Sequence, residues 1–71
     1  MERIPAQSSN LASVGYDAES LTLEIEFYHG AIYQYFGVPQ DIYDGLINAS
    51  SKGTYFHQNI KLVGFPFQKV G

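Results

Sequence analysis

The sequence predicts an α+β fold: a three-stranded antiparallel β-meander followed by one or two helices packed on one face. Three observations carry this. The stretch LTLEIEF, Leu21 to Phe27, alternates apolar and polar residues without a break, which is the period of a half-buried strand. Val38-Pro39 then ends the strand pattern, and Ile42, Tyr43, Leu46, Ile47 and Ala49 recur at helical spacing. Strands that precede helices in this order form a sheet with helices on one side.

The elements follow in chain order. LASVGYD, Leu11 to Asp17, reads as the first strand, and Asp17-Ala18-Glu19-Ser20 as its turn. In the second strand Leu21, Leu23, Ile25 and Phe27 take the core face, and Thr22, Glu24 and Glu26 take the wet one. His29-Gly30 is the next turn, because glycine accepts positive φ without steric cost. AIYQYF, Ala31 to Phe36, is the return strand. Pro39 suits the first helical position, and Asp41 in the first turn complements the helix dipole. Gly45 inside this helix costs roughly 1 kcal/mol against alanine. Ser50 to Gly53 breaks the helix, and TYFHQNI offers a short second one with Phe56 and Ile60 four apart. KLVGFPFQKVG, punctuated by Gly64 and Pro66, either adds a strand or docks as an irregular tail.

The hairpin leaves two registers open. With a two-residue loop at His29-Gly30, Ile25 pairs Gln34 and Glu24 pairs Tyr35, so Tyr33 and Tyr35 lie outside beside the glutamates. With a three-residue loop, Tyr28-His29-Gly30, and a left-handed Gly30, Ile25 pairs Tyr33 and Leu23 pairs Tyr35. The tyrosines then go in, and Ile32, Gln34 and Phe36 go out. The first register buries the Gln34 amide. The second buries two rings whose hydroxyls need partners or a wet edge. The second is preferred.

Bulk properties bound the function. Seventy-one residues make one small domain, which buries only roughly 60% of its unfolded surface. With no cysteine there is neither a disulfide framework nor a thiolate zinc site. MERIPAQSSN has no apolar h-region, and no run approaches the ~18 apolar residues of a membrane span. A cytoplasmic location is the expectation. A net charge of −3 argues against a general polyanion binder. The charge is uneven, however: no Asp or Glu lies beyond Asp44, whereas Lys52, His57, Lys61 and Lys69 do. Such asymmetry points to a local anionic partner.

An ordered set of residues also resembles a known family. Ser8-Ser9-Asn10, Val14-Gly15-Tyr16-Asp17, Gly30, Tyr33-x-Tyr35, Val38-Pro39 and Ser51-Lys52-Gly53-Thr54-Tyr55-Phe56 follow one another as in the KTSC domain. That module is found at the C-terminus of some lysyl-tRNA synthetases and as stand-alone bacterial proteins. The resemblance covers Gln7 to Pro66 and implies a single KTSC-like domain over residues 1–71 with its core at about 7–66. Attachment to a tRNA-charging enzyme implies RNA, tRNA foremost, as the leading partner; this is association, not mechanism. Where the family usually carries Asn after Tyr-Phe, this chain has His57. A ligand contact there would be pH-sensitive.

The residues themselves predict a non-catalytic module. His29 and His57 stand in no metal-ligand spacing, and there is no GxSxG elbow or glycine-rich phosphate loop. A chain of this size is also expected to have little room for a pocket of about 300 Å³. No cofactor is expected. Single-stranded RNA needs rings for base stacking and cations for phosphate. The candidate surface is Lys52, Tyr55, Phe56, His57 and Lys61, joined by Gln58, Asn59, Phe65 and Lys69. Tyr28, Tyr33 and Tyr35 form a platform if Tyr33 and Tyr35 face outward. The alternative is a protein-interaction or homodimerisation module, using the open edge of the first strand or the Phe65-Pro66-Phe67 tail.

Overall fold

The computed structural model describes residues 1–71. Five strands form one antiparallel sheet in sequence order: β1 (Ile4–Pro5), β2 (Leu11–Asp17), β3 (Thr22–Phe27), β4 (Ile32–Phe36) and β5 (Phe67–Lys69). Helices α1 (Gln40–Asn48) and α2 (Lys52–Phe56) lie between β4 and β5, and α2 runs on into a π-helical turn, His57–Lys61. The α+β class and the central meander are as expected, but the sheet has five strands and not three. The two additional strands are two and three residues long, too short to show an alternation. Pairing to the meander's edges defines them: Ile4 with Val14 on one side, and Tyr33 with Lys69 and Tyr35 with Phe67 on the other. The edge of β2 is therefore covered. Pro5 is tolerated in β1 because an edge strand can spare an N–H.

The hairpin adopts the three-residue loop. Ile25 pairs Tyr33 and Leu23 pairs Tyr35. Phe27 N–H donates to the Ala31 carbonyl at 2.9 Å, and Gly30 sits at φ +99°. Between β2 and β3 the register shifts across Leu11 to Ser13. This bulge inserts one extra residue, which is how Leu11 and Val14, three apart, both reach the core.

That core lies between the sheet and the helices: Leu11, Val14, Leu23, Ile25, Tyr35, Val38, Leu46, Phe56 and Ile60 are buried, with Ala6 at its margin. Full burial of each aliphatic side chain is worth about 1.5–3 kcal/mol. Leu46 anchors α1, while Ile42, Tyr43 and Ile47 pack around it. Pro39 caps the helix in extended conformation (ψ 153°) rather than opening it at the first helical position, and its carbonyl accepts from Ile42 N–H at 3.1 Å.

The other face of the sheet was expected to be wet, yet Thr22 and Glu24 are buried there. Arg3 lies across it. Its guanidinium pairs with Glu24 and donates to Ser13 Oγ at 3.0 Å, while Ser13 donates to Glu26 at 2.8 Å and Gln34 donates to Glu24 at 2.8 Å. The crossing segment passes so close that a Cβ on Gly15 would stand 2.5 Å from the Glu2 carbonyl oxygen. Hence glycine at that position.

Candidate functional site

At the hairpin end of the molecule the sheet and the π-helical turn diverge, leaving an open groove. Its floor is built by register. Tyr33, Tyr35 and Phe67 project to the helix side from paired positions on β4 and β5, and Phe27 does so at the end of β3. The rings meet edge to face or tilted: Phe27 to Tyr33 at 5.9 Å, Phe27 to Phe56 at 5.6 Å, Tyr35 to Phe56 at 5.5 Å and Tyr35 to Phe67 at 5.6 Å. Edge-to-face rings match the positive edge of one to the negative face of another. Tyr33 and Tyr35 lie 6.4 Å apart in a stacked arrangement.

The groove has two adjoining hollows. The aromatic one, about 420 Å³, is lined by Phe27, Tyr33, Tyr35, Phe56, Phe65 and Phe67. The polar one, about 520 Å³, is lined by Asn10, Tyr28, His29, Phe56, His57 and Lys61. The expectation of too little room for such spaces is overturned. They lie beside the core at the surface, walled by the outer faces of core rings and by exposed ones, and so take no volume from the packed interior. Neither tyrosine hydroxyl on the floor has a protein hydrogen-bond partner, and no buried polar side-chain atom is left unpaired. Both hydroxyls therefore meet the groove. Burial, and then the neighbouring Tyr33, push the Tyr35 phenol above its ordinary value, so it stays a neutral donor.

No Asp or Glu lines either hollow. One of the acids, Glu24, is buried on the opposite face of the sheet. Burial pushes the Glu24 carboxyl up, but hydrogen bonds from Gln34 and Arg3 and the Arg3 charge outweigh it and hold the group below the ordinary glutamate value. On α1, burial raises the Tyr43 phenol, with Asp44 adding to it. Tyr43 stacks on Tyr16 at 4.8 Å, and the Tyr16 hydroxyl donates to the Val38 carbonyl at 2.6 Å.

The residues singled out in the sequence divide. His57 and Lys61 are exposed and line the polar hollow. Phe56 is buried and forms the wall between the hollows, while Tyr33 and Tyr35 are part of the floor as well as of the core. Tyr55 packs instead on α1, its ring and hydroxyl occupying the place where a Cβ on Gly45 would stand. Lys52 is half-buried, and its ammonium donates to the Ala49 carbonyl at the end of α1 at 3.2 Å. The start of α2 is pressed on the loop between β1 and β2, where a Cβ on Gly53 would lie 2.8 Å from Asn10 Nδ2. Of the Phe65-Pro66-Phe67 tail, Phe65 packs on the core, whereas Phe67 is 62% exposed.

Phe27, His29 and Asn10 line the groove without having been read as site residues, and Phe67 was read only as part of the interaction tail. The preferred register already pointed Phe27 inward at the turn end of the hairpin. His29 stacks on Phe27 with ring centroids 5.5 Å apart, a contact that depends on the hairpin's tertiary shape. Phe67 reaches the groove only through β5.

Fold and groove together define a small α+β domain that carries its helices on one face of an antiparallel sheet. The family model of the KTSC domain matches residues 7–65, and the chain belongs to that family. It is 46% identical over 70 residues to an uncharacterized protein of Stutzerimonas stutzeri, covering 99% of both chains. It is 44% identical over 55 residues to a lysine–tRNA ligase of Nostoc, a match that takes in 78% of this chain and 10% of the ligase. The crystal structure of a KTSC domain protein from Yersinia pestis superposes with a TM-score of 0.90 at 41% identity, covering 99% of this chain and 97% of that one.

Proposed function

We propose that this KTSC domain is a non-catalytic RNA-binding module that takes unpaired RNA in the aromatic groove. One observation carries the reading: the groove joins open aromatic surface to His29, His57 and Lys61 with no carboxylate in its lining. Stacking on rings and attraction of phosphate are the two terms that single-strand binding needs. Lys69 adds a cation, since it pairs with Tyr33 and so shares the groove's face. The presence of the domain in lysine–tRNA ligases supports tRNA as the RNA. No helix is long and apolar enough to cross a membrane, and a cytoplasmic setting fits such a partner. The whole chain acts as one domain with its core at about residues 7–66.

Fluorescence anisotropy with a labelled single-stranded RNA at low salt tests this. Lys61→Glu with Lys69→Glu lowers affinity at least tenfold, and Lys52→Ala, whose ammonium is held on α1, lowers it less. The salt dependence is shallow, because few cations take part. Affinity unchanged in the double variant contradicts the reading.

A second reading has its own observation. Phe67 in the short edge strand β5 and Val70 just after it are exposed, an arrangement that suits self-association. It requires a concentration-dependent mass in sedimentation equilibrium; a constant monomer mass removes it.

A further inference from the structure

The two hollows share a wall: Phe27, His29, Phe56 and Lys61 line both. Their chemistry differs on either side of it. Two basic side chains, His29 and Lys61, stand on that shared wall. His57, four residues before Lys61 on the π-helical turn, joins them from the polar side. None of the three is held in an ion pair, since the ion pairs of the molecule belong to Arg3 on the opposite face. π-Helical turns are frequent at functional sites, and this one supplies both His57 and Lys61. The aromatic hollow, by contrast, presents ring faces and two phenol hydroxyls, which suit a planar heterocycle with polar edges.

We propose that the hollows are the two halves of one nucleotide subsite. A single unpaired base lies in the aromatic hollow, and its phosphate lies in the polar one against His29, His57 and Lys61. This rests on the RNA-binding reading and goes beyond it by fixing the size of the recognised unit, one nucleotide, and its orientation. The phosphate accepts a charge-assisted hydrogen bond from the Lys61 ammonium and hydrogen bonds from imidazole N–H groups, while the base stacks without regard to sequence.

The test is an amide-resolved NMR titration of the full chain with four probes: uridine, uridine 3′-monophosphate, inorganic phosphate and a short oligouridine. The monophosphate is expected to shift signals in both hollows and to bind about tenfold tighter than uridine or more. Uridine shifts Tyr33, Tyr35 and Phe67 but not His57, and inorganic phosphate shifts His57 and Lys61 but not Tyr33 or Tyr35. Replacing His57 and Lys61, both exposed, by alanine removes the advantage of the monophosphate over uridine. Equal affinity for uridine and its monophosphate overturns the subsite. Oligouridine shifts within the groove, with no response to the monophosphate, overturn the subsite and leave RNA binding in the groove standing. A response to the monophosphate but none to oligouridine supports the subsite and overturns RNA as its ligand.

Discussion

Gly45 shows how a residue that is poor in its own element can be required by the next one. In an α-helix, alanine is favoured over glycine by about 1 kcal/mol, yet here the Tyr55 ring fills the space a Cβ would need. Gly45→Ala should therefore destabilise the domain by about 1–3 kcal/mol, measured by urea unfolding. The loss should be strongly non-additive with Tyr55→Ala. The unfavourable glycine was legible in the sequence; its reason was not, because residues 45 and 55 lie on different helices. Arg3 makes the same point. An isolated arginine near the chain start gives no hint that it lies across the sheet and pairs with Glu24. Its removal should leave the 6% exposed Glu24 carboxylate short of partners, at a cost of about 1–3 kcal/mol at neutral pH. The sign with pH follows from the depressed Glu24 value. The stability it contributes is present above the ordinary glutamate value of 4.5 and lost as pH falls through the lower folded-state value. Thermal melts of Arg3→Ala and the parent chain should differ most near pH 7 and converge in acid, where Glu24 is protonated in both.

Among the elements, those with their own periodicity were legible, and those defined only by a partner were not. The alternation of β3 and the helical stripe of α1 located the centre of the fold. The hairpin register could be argued from the cost of burying Gln34, and Gly30 at φ +99° bears it out. Gly30→Ala should cost about 1 kcal/mol or more, read from chemical denaturation; a neutral result would contradict the left-handed turn. β1 and β5 are too short for a pattern, so the meander's true edges were hidden. The consequences reach the site. Without β5, Phe67 has no place on the groove floor, and without β1 the edge of β2 looks open for pairing. The bulge at Ala12 was likewise invisible, since nothing in LASVGYD distinguishes an inserted residue from a regular strand.

At the scale of the whole molecule the groove is kept clear of acidic side chains. The net charge of −3 hides an acidic side, where Glu24 and Glu26 are tied to Arg3 and Ser13, and a groove lined by rings, histidines and a lysine with no acid. The absence of acids beyond Asp44 in the sequence anticipated this division, although Lys52 and Tyr55, taken from the same stretch, face other duties in packing. The central claim is that the groove is where RNA binds. The measurement that tests it most directly is an amide-resolved NMR titration of the chain with short single-stranded RNA and bulk tRNA at low salt. Shifts gathered at Phe27 to Gly30, Tyr33 to Tyr35 and Phe56 to Lys61 are the predicted result. Silence at these positions under a large excess of RNA, or shifts confined to the Arg3–Glu24 face, would contradict it.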